Sequence, residues 1–127
     1  SRANKASRAE LDAFLLKAQT ALKQRIHLLL VDLYPPGKLD PAGIHGELWS
    51  ALGQERFQLP SGKGLLAAAY ESADEITAYV EPFRAGDPLP EMPLFLDIGL
   101  YVEVPLEATY QSAFARVPAF WRAQLLR

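Results

Sequence analysis

The chain contains no cysteine, and this absence removes several kinds of chemistry at once. Disulfide frameworks, thiolate zinc sites and thiol nucleophiles are excluded, and the composition is consistent with a cytoplasmic protein. Long apolar runs are lacking too, because no segment reaches the ~18 apolar residues that a membrane span requires. We therefore expect a cytoplasmic protein that has no membrane partner.

A strong excess of either charge is lacking as well. Lys and Arg total 13 and Asp and Glu total 15, so the net charge is -2. Nucleic-acid surfaces need clustered Lys and Arg, so this balance supports nucleic acid only weakly as a partner. At 127 residues, the chain forms a single domain, 1–127, or the C-terminal portion of a larger domain.

The first half of the chain reads as a helix followed by a strand. A capping box at Ser7 and apolar residues at three- and four-residue steps predict a helix over residues 7–24. The apolar run at residues 26–33 predicts a central strand covered on both faces. Helix and central strand form the second half of a β-α-β unit, whose first strand would precede Ser1. Since the chain also begins without methionine, we expect a fragment that lacks upstream strands.

The remaining patterns predict a mixture of helices and short strands. A helix begins at Asp40-Pro41 and ends at Gly53, and a hairpin joins residues 65–70 to 76–80. The proline-rich residues 83–95 are interpreted as a surface crossing, followed by short strands at 94–96 and 100–104. A last helix begins at Pro105 and carries an apolar seam. The members of that seam, which Pro118 should kink, are Tyr110, Phe114, Val117, Trp121 and Leu125. The predicted class is α/β (α+β), with a mixed sheet flanked by helices.

Two residues are candidates for catalysis. Asp32 ends the apolar strand, at the carboxyl end where α/β proteins place functional groups, although it can equally cap the turn that follows. Lys5 lies just before the first helix, where an ammonium can neutralise a phosphate or polarise a metal-bound water. The alternative for Lys5 is a solvated side chain beside a helix cap.

Other chemistry-bearing residues are interpreted as structural. His27 opens a strand and reads as a packed residue, whereas His45 reads as a solvated residue in the first turn of its helix. The two histidines lack the spacing of a metal-binding pair. Lys38 and Lys63 each follow Gly, but neither precedes Ser or Thr, so a phosphate-binding loop is rejected.

The order of several short motifs resembles a known family. The motifs are Ser1-Arg2-Ala3-Asn4-Lys5, the strand from His27 to Leu33, Ile44-His45-Gly46-Glu47-Leu48, Gly86-Asp87-Pro88-Leu89-Pro90, Pro93-Leu94, and Val104 to Tyr110. Over nearly all its residues the chain resembles an uncharacterised bacterial family of unknown function, which is similar to the PD-(D/E)XK restriction-endonuclease-like superfamily.

This resemblance implies a restriction-endonuclease-like fold and a metal-dependent nuclease in the intact protein. In that family an acidic strand leads into Ser-Pro-x-Asn-Lys, which Ser1, Asn4 and Lys5 match, while Arg2 replaces the proline. Lys5 is the catalytic residue carried over. No position here matches the metal-binding acids, so this chain holds no cofactor, whereas Mg²⁺ or Mn²⁺ is expected in the intact protein.

Two functions follow as expectations. In the first, the chain is the C-terminal part of a nuclease-like domain and its partner is the upstream segment of the same protein. In the second, it is a noncatalytic module for protein interaction or self-assembly. A sheet edge left open by a missing strand would then favour a homo-oligomer or strand addition by a partner.

Overall fold

A three-stranded sheet lies between a helical layer and a β-hairpin in a computed structural model of the chain, which describes residues 2–116. After a short 3-10 helix at Arg2–Lys5, the elements follow as α1 (Arg8–Lys23), β1 (Leu28–Asp32), α2 (Gly43–Ala51), β2 (Leu65–Ser72), β3 (Ile76–Phe83), β4 (Glu91–Asp97), β5 (Leu100–Pro105) and α3 (Leu106–Ala115). The coarse class, a mixture of α and β structure, is confirmed.

The first helix forms where its apolar period and its cap predict it. The Ser7 hydroxyl accepts a hydrogen bond from the backbone N–H of Glu10 at 3.2 Å, which satisfies one of the free amides of the first turn. Four residues of one face are buried: Leu11, Leu15, Ala18 and Leu22. They pack against the sheet and fix α1 across it.

β2 is the central strand and is covered on both faces. It pairs antiparallel with β1 on one side and with β3 on the other. Because side chains alternate along a strand, Ala68 and Tyr70 face the helices, whereas Ala67 and Ala69 face the hairpin. The small alanine side chains let both layers approach the strand closely.

The prediction that residues 26–33 form a central strand is wrong for the described part of the chain. β1 is shorter than predicted, lies at the edge of the sheet and is only half-buried before Asp32. Apolar character on both faces of a strand reports cover above and below the sheet, not the presence of a neighbour at each hydrogen-bonding edge. The expected mixed sheet is also corrected, since both sheets within residues 2–116 are antiparallel.

The predicted hairpin of β2 and β3 is confirmed, and each strand is longer than the pattern indicated. The interpretation of residues 83–95 as a crossing without structure is wrong from Glu91 onward, where β4 pairs with β5. Pro93 is tolerated because, within the described chain, β4 has a strand partner on one side only. The predicted seam residues Val117, Trp121 and Leu125, and the kink at Pro118, lie outside the described residues.

None of the helices in the described range is long and apolar enough to cross a bilayer.

Candidate functional site

Lys5 and Asp32, the two candidates identified separately from the sequence, contact each other. The Nζ atom of Lys5 lies 3.0 Å from Oδ2 of Asp32 and 2.7 Å from Oδ2 of Asp40. It also donates to the carbonyl oxygen of Tyr34 at 2.7 Å. The Lys5 side chain is 11% exposed and both carboxylates are buried. We call Lys5, Asp32 and Asp40 the Lys5 cluster.

Backbone amides hold the two carboxylates in place. Asp32 accepts from the N–H of Tyr34 at 3.3 Å and from the N–H of Ile44, in the first turn of α2, at 3.2 Å. Gly43, at the start of α2, adopts a positive φ of 76°, a backbone conformation that favours glycine. Asp32 therefore caps the turn after β1, and its negative charge interacts favourably with the positive end of the α2 dipole.

Asp40 is held from the opposite side. Its Oδ1 atom accepts from the N–H of Gly37 at 3.0 Å, and its Oδ2 atom has the Lys5 ammonium as its partner. The sequence analysis assigned Asp40 only a helix start. Its pairing with Lys5 joins segments that are distant along the chain, and nothing local in the sequence indicates it.

The arrangement ties the 3-10 helix to the turn between β1 and α2. The two Oδ2 atoms point at an ammonium of the chain itself, so they do not offer free ligands to a metal ion. Among residues 2–116, no group of three or more His, Cys, Asp and Glu side chains is placed to hold a metal. The expectation that Lys5 is a solvated residue beside a helix cap is wrong.

A groove of about 610 Å³ borders the Lys5 cluster. Besides Lys5 and Asp40, it is lined by the side chains of Arg2 and Lys38, both of which are exposed. Two exposed cations thus flank Lys5, whose charge is buried and neutralised by Asp32 and Asp40. The exposed side chains of Arg2 and Lys38 give this groove positive charge that favours an anionic ligand.

His45 forms a second polar contact in the helical layer, and its expected solvent exposure is wrong. Its Nδ1 atom lies 2.5 Å from the hydroxyl oxygen of Tyr70, with which it shares a hydrogen bond. The rings of Trp49 and Phe57 pack against the imidazole at centroid distances of 5.5 and 4.7 Å. Burial lowers the pKa of His45 to about 4 and raises the pKa of Tyr70. Both groups therefore stay neutral at pH 7.

The spacing of His45 and Trp49, one helical turn apart, was the available signal for this aromatic cluster. His27 is a packed residue as expected, since its Nδ1 atom accepts from the N–H of Ser72 at 2.9 Å. Neither histidine lies in the Lys5 cluster.

The outer edge of β1 is the other feature with functional potential. Of the strands in the described residues, only β2 pairs with β1, so one row of β1 backbone groups faces outward. Next to this edge, an apolar groove of about 370 Å³ lies between α1 and the strand. Its lining includes Phe14, Lys17 and Ala21 from the helix and Leu28 and Leu30 from the strand. We call this row of backbone groups, together with the groove, the β1 edge.

Comparisons of the chain with models of protein families, with curated proteins and with solved structures returned no match.

Proposed function

We propose that this domain is a noncatalytic interaction module that accepts an extended strand at the β1 edge. The observation that carries the proposal is the combination of outward backbone groups on Leu28–Asp32 with an apolar groove directly beside them. Strand addition uses both features, because backbone hydrogen bonds supply affinity and pockets for alternate side chains supply specificity.

The chemistry of the Lys5 cluster supports this proposal. Its charged groups are buried and paired with one another, and backbone amides bind both carboxylates. Such a cluster stabilises the segments around the carboxyl end of β1 and keeps the strand in place for a partner. Exposed apolar side chains at the β4–β5 turn, among them Leu96, Ile98 and Leu100, add further surface of the kind that proteins use to associate.

Amide hydrogen exchange tests the proposal with a defined probe. The probe is a synthetic peptide that repeats residues 26–33 and carries lysines at each end for solubility. In dilute, monomeric protein we expect the β1 amides that do not bond to β2 to exchange rapidly, and their exchange to slow when the peptide is added in excess. Leu30→Lys should abolish this protection, because a charge directed into the edge groove opposes pairing.

Thr77→Lys is the matched control, since it adds the same charge to an exposed position of β3 at the other edge of the sheet. It should leave the peptide effect intact. Protection of the outward-facing β1 amides in the monomeric protein, before any peptide is added, would mean that the edge is already covered, and the proposal would then be wrong.

A second candidate function is favoured by two observations. Lys5 contacts the carboxylate of Asp32, and the groove beside this contact is also lined by Arg2 and Lys38. We propose, as this alternative, that the domain belongs to a restriction-endonuclease-like nuclease of bacterial origin, whose metal-binding carboxylates come from outside this chain. Arg2 and Lys38 would contact the phosphates of the nucleic acid.

A cleavage assay separates the two functions. The intact protein is incubated with Mg²⁺ or Mn²⁺ and with single- and double-stranded DNA or RNA. Cleavage that Lys5→Met abolishes while the variant remains folded by circular dichroism, and that Thr77→Lys leaves unchanged, would support the nuclease. No cleavage of any substrate by a protein that also carries no metal would eliminate it.

A further inference from the structure

The two edge strands of the three-stranded sheet differ in chemistry. Near its end β3 carries Glu81 and Pro82, a charge and a residue without an amide hydrogen, both of which oppose pairing with another strand. β1 carries four consecutive apolar residues before Asp32. The β1 edge is therefore the one that favours a further strand.

The helix beside this edge carries opposite charges on either side of an aromatic residue. Glu10, Phe14 and Lys17 follow each other at four- and three-residue steps, which places them along one side of α1. Phe14 and Lys17 line the groove, and Glu10 is exposed one turn earlier. A row with opposite charges at its two ends is complementary to a second copy of itself in the reverse direction.

We infer that the strand bound at the β1 edge is β1 of a second copy of this chain, an inference that rests on the proposed function. Antiparallel pairing centred on Leu30 opposes Leu29 of one copy to Val31 of the other. The two-fold axis then runs perpendicular to the sheet, so both α1 helices lie on the same face and run antiparallel.

In this geometry the groove of each copy is filled and the exposed charges on α1 form pairs. Glu10 of each copy faces Lys17 of the other copy, and the two Phe14 rings fill the space between the helices. The two three-stranded sheets become one continuous sheet, with a β3 strand at each outer edge.

The oligomeric state of the full chain tests the inference. Light scattering and sedimentation across a range of protein concentrations should show a monomer–dimer equilibrium. Lys17→Glu should raise the Kd of the dimer about tenfold, because it converts two symmetry-related attractions into repulsions. The double variant Glu10→Lys/Lys17→Glu should restore affinity, since it exchanges the charges and keeps their complementarity.

Lys23→Glu is the matched control, because it makes the same change of charge on an exposed residue of α1 that does not line the groove. Its dimer Kd should stay within about twofold of the wild-type value. Added salt should weaken the wild-type dimer, in which it screens attraction, and strengthen the Lys17→Glu dimer, in which it screens repulsion.

Failure of this inference is distinguishable from failure of the proposed function. One outcome is that the chain stays monomeric while the peptide probe still protects β1. That result would overturn the proposal that the partner is a second copy, and it would still support strand addition. A dimer whose Kd is unchanged by Lys17→Glu overturns the antiparallel arrangement of the helices. Slow exchange of the outward-facing β1 amides in a strict monomer without peptide overturns both proposals.

Discussion

Lys5 places a positive charge among oxygen atoms at the carboxyl end of β1, and its removal would leave two buried carboxylates without their cation. We expect Lys5→Met to lower the free energy of unfolding by about 3 kcal/mol, because breaking a buried ion pair from one side leaves uncompensated charge. Methionine keeps the length of the side chain, so the loss reports charge rather than volume. Urea unfolding at neutral pH measures it.

Lys38→Met is the control for Lys5→Met, because Lys38 is an exposed lysine close to the same groove. It should change the free energy of unfolding by less than about 0.5 kcal/mol. Equal effects of the two substitutions would show that the buried ion pairs do not stabilise the domain.

His45 makes stability depend on pH. Burial lowers its pKa from 6.5 to about 4, so in that window the unfolded chain binds a proton that the folded chain excludes. The free energy of unfolding should therefore fall as pH drops from 6.5 towards 4, by roughly 3 kcal/mol from this residue. The contribution is fully present above pH 6.5.

Chemical unfolding at several pH values, compared between wild type and His45→Gln, isolates this dependence. Glutamine keeps a polar side chain near Tyr70 but does not titrate, so the variant should lose the part of the slope that lies between pH 6.5 and 4. An unchanged slope would exclude His45 as its origin, since His27 is retained in both proteins.

The predictability of these residues differs for a physical reason. Sequence position indicated Asp32, at the end of a strand, whereas Lys5, before a capped helix, was indicated by its position together with the family resemblance. Asp40 was not predicted as their partner, because its contact depends on how the turn after β1 folds back. His45 was misplaced because a polar residue in a first turn usually faces water, whereas here Tyr70 supplies a buried hydrogen-bond partner.

The helices and the hairpins were predictable where periodicity decides them. α1 has both a cap and an apolar stripe, and the β2–β3 hairpin has two apolar runs around a polar turn. The neighbours of β1 were not predictable, because an apolar strand shows the same pattern whether its hydrogen-bonding edge is paired or free. An open sheet edge was expected from the sequence, but the position of β1 at that edge and the groove beside it are seen only in the structure.

α2 is short, and packing rather than helix propensity controls one of its positions. A Cβ atom added at Gly46 would lie 2.5 Å from Cβ of Ala42, and Phe57 closes the other side at 3.8 Å. We expect Gly46→Ala to lower the free energy of unfolding by about 1 to 3 kcal/mol, although alanine favours helices, because overpacking outweighs propensity. Thermal unfolding measures the change.

Ser50→Ala tests propensity at an exposed position of the same helix. It should stabilise the protein slightly or leave it unchanged. If Gly46→Ala also proved stabilising, the close approach at Ala42 would be relieved by a small backbone shift and would not constrain the sequence.

The stability of the whole molecule depends on β2, because the helical layer and the hairpin layer both pack on this strand. Ala68 faces the helices and Ala67 faces the hairpin, and both are fully buried. The two apolar clusters therefore share β2, whose middle residues, 67–69, are all alanine. A change on either face should reach the opposite layer through the backbone they share.

Ala68→Leu tests this coupling. The larger side chain has no space beneath the helices, so we expect a loss of about 1 to 3 kcal/mol in the free energy of unfolding. If the two layers unfold together, hydrogen exchange in β4 should accelerate by the same factor as exchange in β2, although the substitution lies on the other face. Ala67→Leu should give the reciprocal result in α1. Acceleration confined to the layer that carries the substitution would show that the two clusters open independently.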